Sequence, residues 1–475
     1  MNYKTIFRSL KSHDMRARLF AVLGMIVVYR FLAHIPVPLA GPTQLKDIIS
    51  QTIQSNSLGG IMNLLTGGAL SSLSLVLVGL SPYITASVIT QLLTKAIPRL
   101  EELHKDGESG RRKINQWTRI ITLPLAILQS IAYIFILRQT VLSGSALTDM
   151  NLTQWIVSVT AMTGGAMMLM WLGELITEKG IGNGISLLIF AGIISQLPQT
   201  FGQMWSALFT GTGTNGALAA GDKLRVFNWF TIGVNYKMFW LFAGIVVAFI
   251  AVLYILVKIN EAQRIITINY AKRVRGNSAY GGVRSILPVK LITAGVIPVI
   301  FAVAFLALPA FIGQLMAAGG NEHLKAIGQN LVSWFNTPSA STISAITDWH
   351  RWIYPVCYFV LVVFFTYFYT SIVFNANEIA ENLQKQGGFI AGVRPGKQTE
   401  KYLKNIVNRL TLFGSLTLGL VAILPFVAEF IFANMGVNIS LAIGGTGLLI
   451  VEQVALESLR QINSRALMVT YDEYK

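Results

Sequence analysis

FWLFAGIVVAFIAVLYILV, residues 239–257, decides the fold, because this stretch carries no charge and is almost entirely apolar. A helix needs roughly 20 mostly apolar residues to cross a bilayer. The rest of the chain has the same character: of 475 residues, 53% are hydrophobic and 12% are charged, and the mean hydropathy is +0.58. Globular domains carry about 25% charged residues. The composition therefore excludes a water-soluble globule and indicates a membrane protein.

Ten segments are long and apolar enough to span a membrane, so we predict an all-α polytopic fold with ten transmembrane helices. They lie at about 19–38, 72–94, 119–139, 154–175, 184–199, 238–258, 289–311, 352–374, 407–428 and 439–459. With an even number of spans, 29 of the 37 Lys and Arg residues fall on the same side as the N-terminus. Because basic residues concentrate on the cytoplasmic side, we expect both termini in the cytoplasm.

Ten spans divide into two halves, 1–199 and 200–475, and the second half would be inverted relative to the first. Inverted repeats place the functional path at their interface. Four segments mix Gly, Pro, Ser, Thr or Asn with apolar residues, namely 79–93, 183–195, 292–301 and 444–453. Such residues are tolerated at membrane depth where helices pack closely or border water. Either explanation fits one segment alone, whereas four together suggest inner helices around a polar path.

The sequence offers no recognisable catalytic or metal-binding pattern. Cys357 is the single cysteine, and the five histidines are scattered without an i,i+4 pair. We therefore expect no metal, no cofactor and no enzymatic activity. The stretch GVRPGKQT at 392–399 differs from a phosphate loop, because three residues instead of four separate its glycines and Gln398 follows the lysine.

Few charged residues fall inside the predicted spans, which argues against an ion-coupled transporter. Arg30 and Glu174 lie near span ends, where snorkelling or pairing at the interface is the simplest role. Glu452 lies deeper, in the last span, and the conservative interpretation is that it faces a wet cytoplasmic cavity.

Six motifs, in order and at consistent spacing, resemble the SecY family, the central subunits of protein-conducting channels. They are GESGRRKINQWTR (107–119), MWLGELITEKGIGNGISLLIFAGI (170–193), INYAKR (268–273), AGVIPVIFA (294–302), ANEIAENLQKQGGFIAGVRPGKQTEKYL (376–403) and GGTGLLI (444–450). The pattern resembles bacterial rather than archaeal or eukaryotic members, which implies residence in the bacterial cytoplasmic (inner) membrane.

The resemblance implies two inverted five-helix halves around an hourglass pore, with a plug at about 61–74. It implies that signal peptides and unfolded secretory chains enter the pore and that hydrophobic segments leave sideways into membrane lipid. It implies small partner subunits, SecE and SecG, and a driver at the cytoplasmic loops 259–288 and 375–404. The driver would be the SecA motor ATPase or a translating ribosome.

Three sets of site residues follow from this resemblance. The apolar pore ring comprises Leu80, Ile84, Ile185, Ile189, Ile300 and Ile450. The lateral gate, the seam through which segments would reach lipid, includes Thr85, Gln91 and Thr293. The docking set for the motor or ribosome comprises Arg264, Lys272, Arg273, Arg275, Arg394, Pro395 and Gly396.

Two other classes of membrane protein compete with the channel. A secondary transporter or ion channel of inverted-repeat architecture would fit ten spans, but would normally carry a charged or polar substrate site at mid-membrane. An intramembrane protease would need paired aspartates, a Ser/His set or HExxH at membrane depth, and the sequence has none of these.

Overall fold

The structure, a computed structural model, describes residues 13–37, 74–140, 152–209, 223–226, 230–270, 273–275, 278–280, 284–295, 297–317, 322–335, 349–434 and 446–472. Helices dominate these residues. They are α1 (His13–Leu32), α2 (Ser81–Ala96), α3 (Pro98–Lys105), α4 (Glu108–Thr140), α5 (Leu152–Lys179), α6 (Gly184–Phe209), α7 (Tyr236–Glu261), α8 (Ile297–Ala317), α9 (Glu322–Phe335), α10 (Ile353–Val373), α11 (Ala376–Lys385), α12 (Lys397–Asn434) and α13 (Thr446–Asp472).

Short strands occupy the segments between helices. They are β1 (Lys223–Val226), β2 (Phe230–Asn235), β3 (Gln263–Tyr270), β4 (Arg273–Arg275), β5 (Ser278–Tyr280), β6 (Arg284–Lys290) and β7 (Gly388–Ile390). They form a β1–β2 pair, a β4–β5 pair and a three-stranded sheet in the order β6–β3–β7, all antiparallel.

Each of the ten predicted spans overlaps one of the longer helices, namely α1, α2, α4, α5, α6, α7, α8, α10, α12 and α13. Within the described residues, six helices are long and apolar enough to cross a membrane by those criteria alone: α4, α5, α7, α8, α10 and α12. The chain is therefore an all-α polytopic membrane protein with small sheets between its helices.

The chain divides into two compact units. The larger comprises Met1–Val247, Val303–Tyr354 and Pro425–Lys475, and the smaller comprises Ala248–Ala302 and Pro355–Leu424. These boundaries fall inside α7, α8, α10 and α12. The division into two sequential halves near residue 199 stays a prediction. The proposed plug, 61–74, lies outside the described residues except for its last residue, Ser74.

In the larger unit, most contacting helices are close in sequence: α2 contacts α4, α4 contacts α5, and α5 contacts α6. In addition, α6 contacts α13, the last helix. One apolar core joins the segment before α2 to α4 and α5; its buried members are Val37, Leu77, Val78, Ala126, Tyr133, Ile134, Met162 and Ala166. Several buried threonines donate to a carbonyl one turn back in their own helix, and Thr90 Oγ1, for example, donates to the Ala86 carbonyl at 2.7 Å. Such bonds satisfy hydroxyls where water is absent.

Candidate functional site

The turn between α5 and α6 fixes the start of α6, which carries two of the proposed ring residues. Gly180 and Gly182 have φ of 71° and 153°, a region that favours glycine. Asn183 Oδ1 accepts from the backbone N–H groups of Ile185 at 3.1 Å and Ser186 at 3.3 Å, which caps the new helix. Gly184 lies so close to the Gly173 carbonyl that a side chain there would collide with it. The motif EKGIGNG is therefore a tight corner between two helices.

Helix α13 packs against α6 in the opposite direction. A side-chain carbon on Gly447 would lie 3.3 Å from Ile193 Cγ2, and one on Gly182 would lie 3.0 Å from Ser458 Oγ. Residue numbers thus rise along α13 as they fall along α6. Ile450 lies three residues beyond Gly447, and Ile189 lies four residues before Ile193. At about 1.5 Å per residue, Ile189 and Ile450 lie at nearly the same level on contacting helices.

Five of the six predicted ring residues are buried, and Ile185 is half-buried. Leu80 directly precedes α2 as its N-cap residue, and the Ile84 N–H, one turn into the helix, donates to the Leu80 carbonyl at 3.0 Å. Ile185 packs against Gly173 of α5. Ile300 lies in the smaller unit, where its neighbour Phe301 makes an edge contact with Phe365 of α10. The structure thus relates Ile189 to Ile450 and Leu80 to Ile84, while convergence of all six stays a prediction.

The predicted gate residues make short-range contacts within their own segments. Thr85 is buried on α2, and Gln91 Nε2 donates to Ser87 Oγ at 3.1 Å, one turn away. Thr293, in the segment before α8, donates to the Lys290 carbonyl at 3.3 Å. Thr85 and Gln91 belong to the larger unit and Thr293 to the smaller. Their part in one seam remains a prediction.

A sheet platform joins the two predicted docking loops. We define it as β3, β6 and β7 with α11 and the first turns of α12. Strand β3 pairs with β6 from Gln263 opposite Lys290 to Asn269 opposite Arg284, and with β7 through Ile268 opposite Ile390. The first loop therefore folds as a hairpin, and the second adds a strand to it.

Successive strand residues point to opposite faces of the sheet. One of these faces is buried against α12. The core under it contains Ile266, Val289, Ile390, Leu403, Ile406 and Val407. The other face is exposed and partly apolar, with Ile265, Ile286 and Phe389 on its surface. The alternation of isoleucine with polar residues in QRIITINY is the signal that would have revealed this strand.

The turn that carries Arg394 is rigid. Gly392 and Gly396 have φ of 80° and 95°, and Pro395 fixes the backbone between them. Thr399 Oγ1 donates to the Arg394 carbonyl at 2.9 Å, and the Glu400 N–H donates to the Gly396 carbonyl at 3.1 Å. These bonds tie the turn to the start of α12 and hold the exposed Arg394 at the platform.

The rest of the docking set is only partly described. Arg264 is exposed on β3, in the same platform as Arg394. Arg273 and Arg275 lie on β4, which pairs with β5. Lys272 lies outside the described residues.

Two of the charged residues singled out in the predicted spans, Glu174 and Glu452, have different surroundings in the structure. Arg119 Nε donates to Glu174 Oε1 at 2.7 Å, joining α4 to α5, so of the two roles expected for Glu174, snorkelling or pairing, the structure shows pairing. Sequence reasoning missed Arg119 as its partner, since 55 residues separate them. Glu452 is 5% exposed on α13, so the structure does not place it in an open wet cavity.

Comparisons with known proteins agree with the resemblance. The SecY family profile matches residues 74–459. The chain is 38% identical over 474 residues to the protein translocase subunit SecY of Streptomyces galbus, and 39% identical over 478 residues to that of Corynebacterium glutamicum. Each alignment covers 98% of both chains.

Solved channel structures share the fold. A structure of a protein-conducting channel matches with a TM-score of 0.58 and 20% identity. Sec61 in the canine ribosome–channel complex from the endoplasmic reticulum matches with a TM-score of 0.54 and 18% identity. Both matches cover 93% of this chain and 90% of the other. Because the profile spans most of the sequence and relatives align over nearly all of it, the chain belongs to the SecY family.

Proposed function

We propose that this chain forms a channel through which unfolded secretory proteins cross the membrane and from which hydrophobic segments pass sideways into lipid. The observation that carries the proposal is the pair of contacting helices α6 and α13, with buried Ile189 and Ile450 at nearly one level. Each lies on a helix that also carries small or polar residues. Such helices suit a central path better than a lipid-facing surface.

The apolar side chains would seal the idle channel. A narrow ring of branched apolar groups excludes water and hence ions, and it can part around an extended polypeptide. Leu80, Ile84, Ile185 and Ile300 would complete the ring, with the segment 61–74 as a plug beside it. A related SecY structure, with a TM-score of 0.58 and 19% identity over 93% of this chain and 90% of that one, concerns a plug domain that stabilises the closed channel.

The proposed architecture is two inverted halves, 1–199 and 200–475, around an hourglass pore. Thr85, Gln91 and Thr293 would line the seam that opens toward lipid. The charge bias of the connecting segments supports cytoplasmic termini, and the bacterial relatives support residence in the inner membrane.

The driver would dock on the sheet platform. Arg264 and Arg394 are exposed on the sheet platform. The exposed apolar side chains of Ile265, Ile286 and Phe389 lie on one face of its sheet. The alternation along β3 places Arg264 on the other face, opposite Val289. Apolar side chains and arginines are both typical of protein interfaces. The arginines also suit ribosomal RNA, since phosphate contacts dominate such binding. Two of the solved relatives are ribosome-bound channels. We propose SecA or the ribosome as driver, and SecE and SecG as partner subunits.

Reconstitution tests this function. The chain is placed in lipid vesicles with its small partner subunits, the motor ATPase, ATP and a signal-bearing precursor, and protease-protected precursor is measured. We expect protection that needs both ATP and the signal sequence. A matched precursor without its signal is the control. Equal protection of both precursors, or none of either, would contradict the proposal.

A further inference from the structure

Helix α9 is too short to be a span and too apolar on one side to be a simple loop. Its 14 residues extend about 21 Å, against roughly 30 Å for a hydrocarbon core. Leu324, Ile327 and Trp334 are 43%, 49% and 37% exposed. Spacings of three and seven residues place them along one side of the helix. Gln329 and Ser333 are exposed on the other side. The helix is therefore amphipathic, with part of its apolar side uncovered.

Two glycines hold α9 directly against the C-terminal half of α8. A side-chain carbon on Gly313 would come within 2.8 Å of Leu331 Cβ and 3.1 Å of Val332 Cγ2, and one on Gly328 would collide with the Ala317 backbone. Only glycines allow this approach. Because α8 is a membrane-spanning helix that ends at Ala317, α9 is fixed beside the end of a span.

Exposed apolar side chains also lie on α8 and on the segment that follows α9. Ile312 of α8 is 51% exposed on a helix apolar enough to cross the membrane, a surface that suits contact with lipid. At the other end of α9, the Trp334 ring stacks on the His350 ring at 5.9 Å with an interplanar angle of 12°. His350 belongs to a short 3-10 turn, Trp349–Trp352, that enters the spanning helix α10, and Trp352 in this turn is exposed. Tryptophan is enriched where the bilayer meets water.

We propose that α9 lies in the membrane–water interface at the C-terminal end of α8, with Leu324, Ile327 and Trp334 in contact with lipid. The axis of α9 would lie parallel to the membrane surface. Glu322, Lys325 and Gln329, all exposed, would face water. Helix α9 would thereby anchor the C-terminal end of α8 at the bilayer surface, as amphipathic interfacial helices do.

Nitroxide labelling of the full chain, assembled with its small partner subunits in phosphatidylcholine–phosphatidylglycerol vesicles, tests this proposal. The native cysteine is first removed by Cys357→Ser, and Ile327→Cys and Ser333→Cys are labelled separately. Collision with dissolved oxygen, which enters hydrocarbon, is compared with collision with a water-soluble nickel chelate. We expect the oxygen-to-nickel ratio to be several-fold higher for the label at Ile327 than for that at Ser333.

A second pair, Leu324→Cys and Gln329→Cys, repeats the comparison if one of the first variants fails to assemble. Similar ratios on both sides of the helix would overturn the proposal, because two low ratios place α9 in water and two high ratios place it within the hydrocarbon. A label at Ile327 that is immobile and shielded from both reagents would mean that protein, either a partner subunit or a second copy, covers this face, and would overturn it equally.

Discussion

Gly184 lets α6 approach α5 closely because glycine has no side chain. Its N–H donates to Thr177 Oγ1 at 2.8 Å, and its backbone lies against the Gly173 carbonyl. We expect Gly184→Val to destabilise the protein by about 1–3 kcal/mol, because overpacking forces neighbouring backbone apart. Thermal unfolding in detergent measures the change. Gly164→Val is the matched control, since no atom lies within 4 Å of a side-chain carbon there. Equal loss of stability in both variants would contradict the account.

Two further residues with a testable role are Ile189 and Ile450, which are members of the proposed seal. We expect the double change Ile189→Ser with Ile450→Ser to raise the ion conductance of the idle channel, because hydroxyls keep water in a constriction that isoleucine dries. Conductance across planar bilayers that contain the assembled channel measures it.

The control for the seal is the same double change at Val247 and Ile250 of α7. Both are exposed on a helix apolar enough to span the membrane. No rise in conductance is expected there. An equal rise from both pairs, or from neither, would remove these two isoleucines from the seal.

The sheet platform makes its prediction at the scale of elements. Arg394→Glu reverses one charge on a turn that is tied to α12 by its backbone and by Thr399. We therefore expect it to abolish motor-driven translocation while expression and assembly stay normal. Protease-protected precursor is again the measurement. Lys325→Glu, which reverses the charge of an exposed residue on α9, is the control. This variant should translocate the precursor normally. Normal transport by the Arg394 variant would exclude this turn as a docking element.

The elements differ in how far sequence alone predicts them. Each of the ten predicted spans overlaps a helix, because a run of apolar residues is a local signal that needs no partner. The sheet platform was not predicted, since β3 and β7 are paired across more than a hundred residues and the connecting segments read as basic loops. Helix α9 lies outside all ten predicted spans. Its contact with α8 depends on Gly313 and Gly328, which are unremarkable in sequence.

The candidate site was predictable in part for the same reason. Motif resemblance singled out Ile189 and Ile450, but only the antiparallel packing of α6 and α13 relates their levels. Pairing was one of the two roles expected for Glu174 near a span end, whereas its partner Arg119 lies on another helix and no local pattern identifies it.

At the scale of the whole molecule, orientation follows from charge. We expect a single cysteine from Gln329→Cys to react with an impermeant maleimide added to intact cells, in a Cys357→Ser background. A cysteine from Lys397→Cys should react only after the cells are permeabilised, because basic loops stay in the cytoplasm. Both positions are exposed. Labelling of the Lys397 variant in intact cells would reverse the proposed topology.

The central claim is that a polypeptide passes through a pore lined by Ile189 and Ile450. A secretory precursor stalled halfway by a folded domain, with one cysteine in its translocating segment, is tested for disulfide formation with the channel. Ile189→Cys, Ile450→Cys and Ile250→Cys are compared in the Cys357→Ser background. We predict adducts with the first two and none with the exposed Ile250 position. Adducts at Ile250 alone, or at none of the three while the precursor is stalled, would contradict the account.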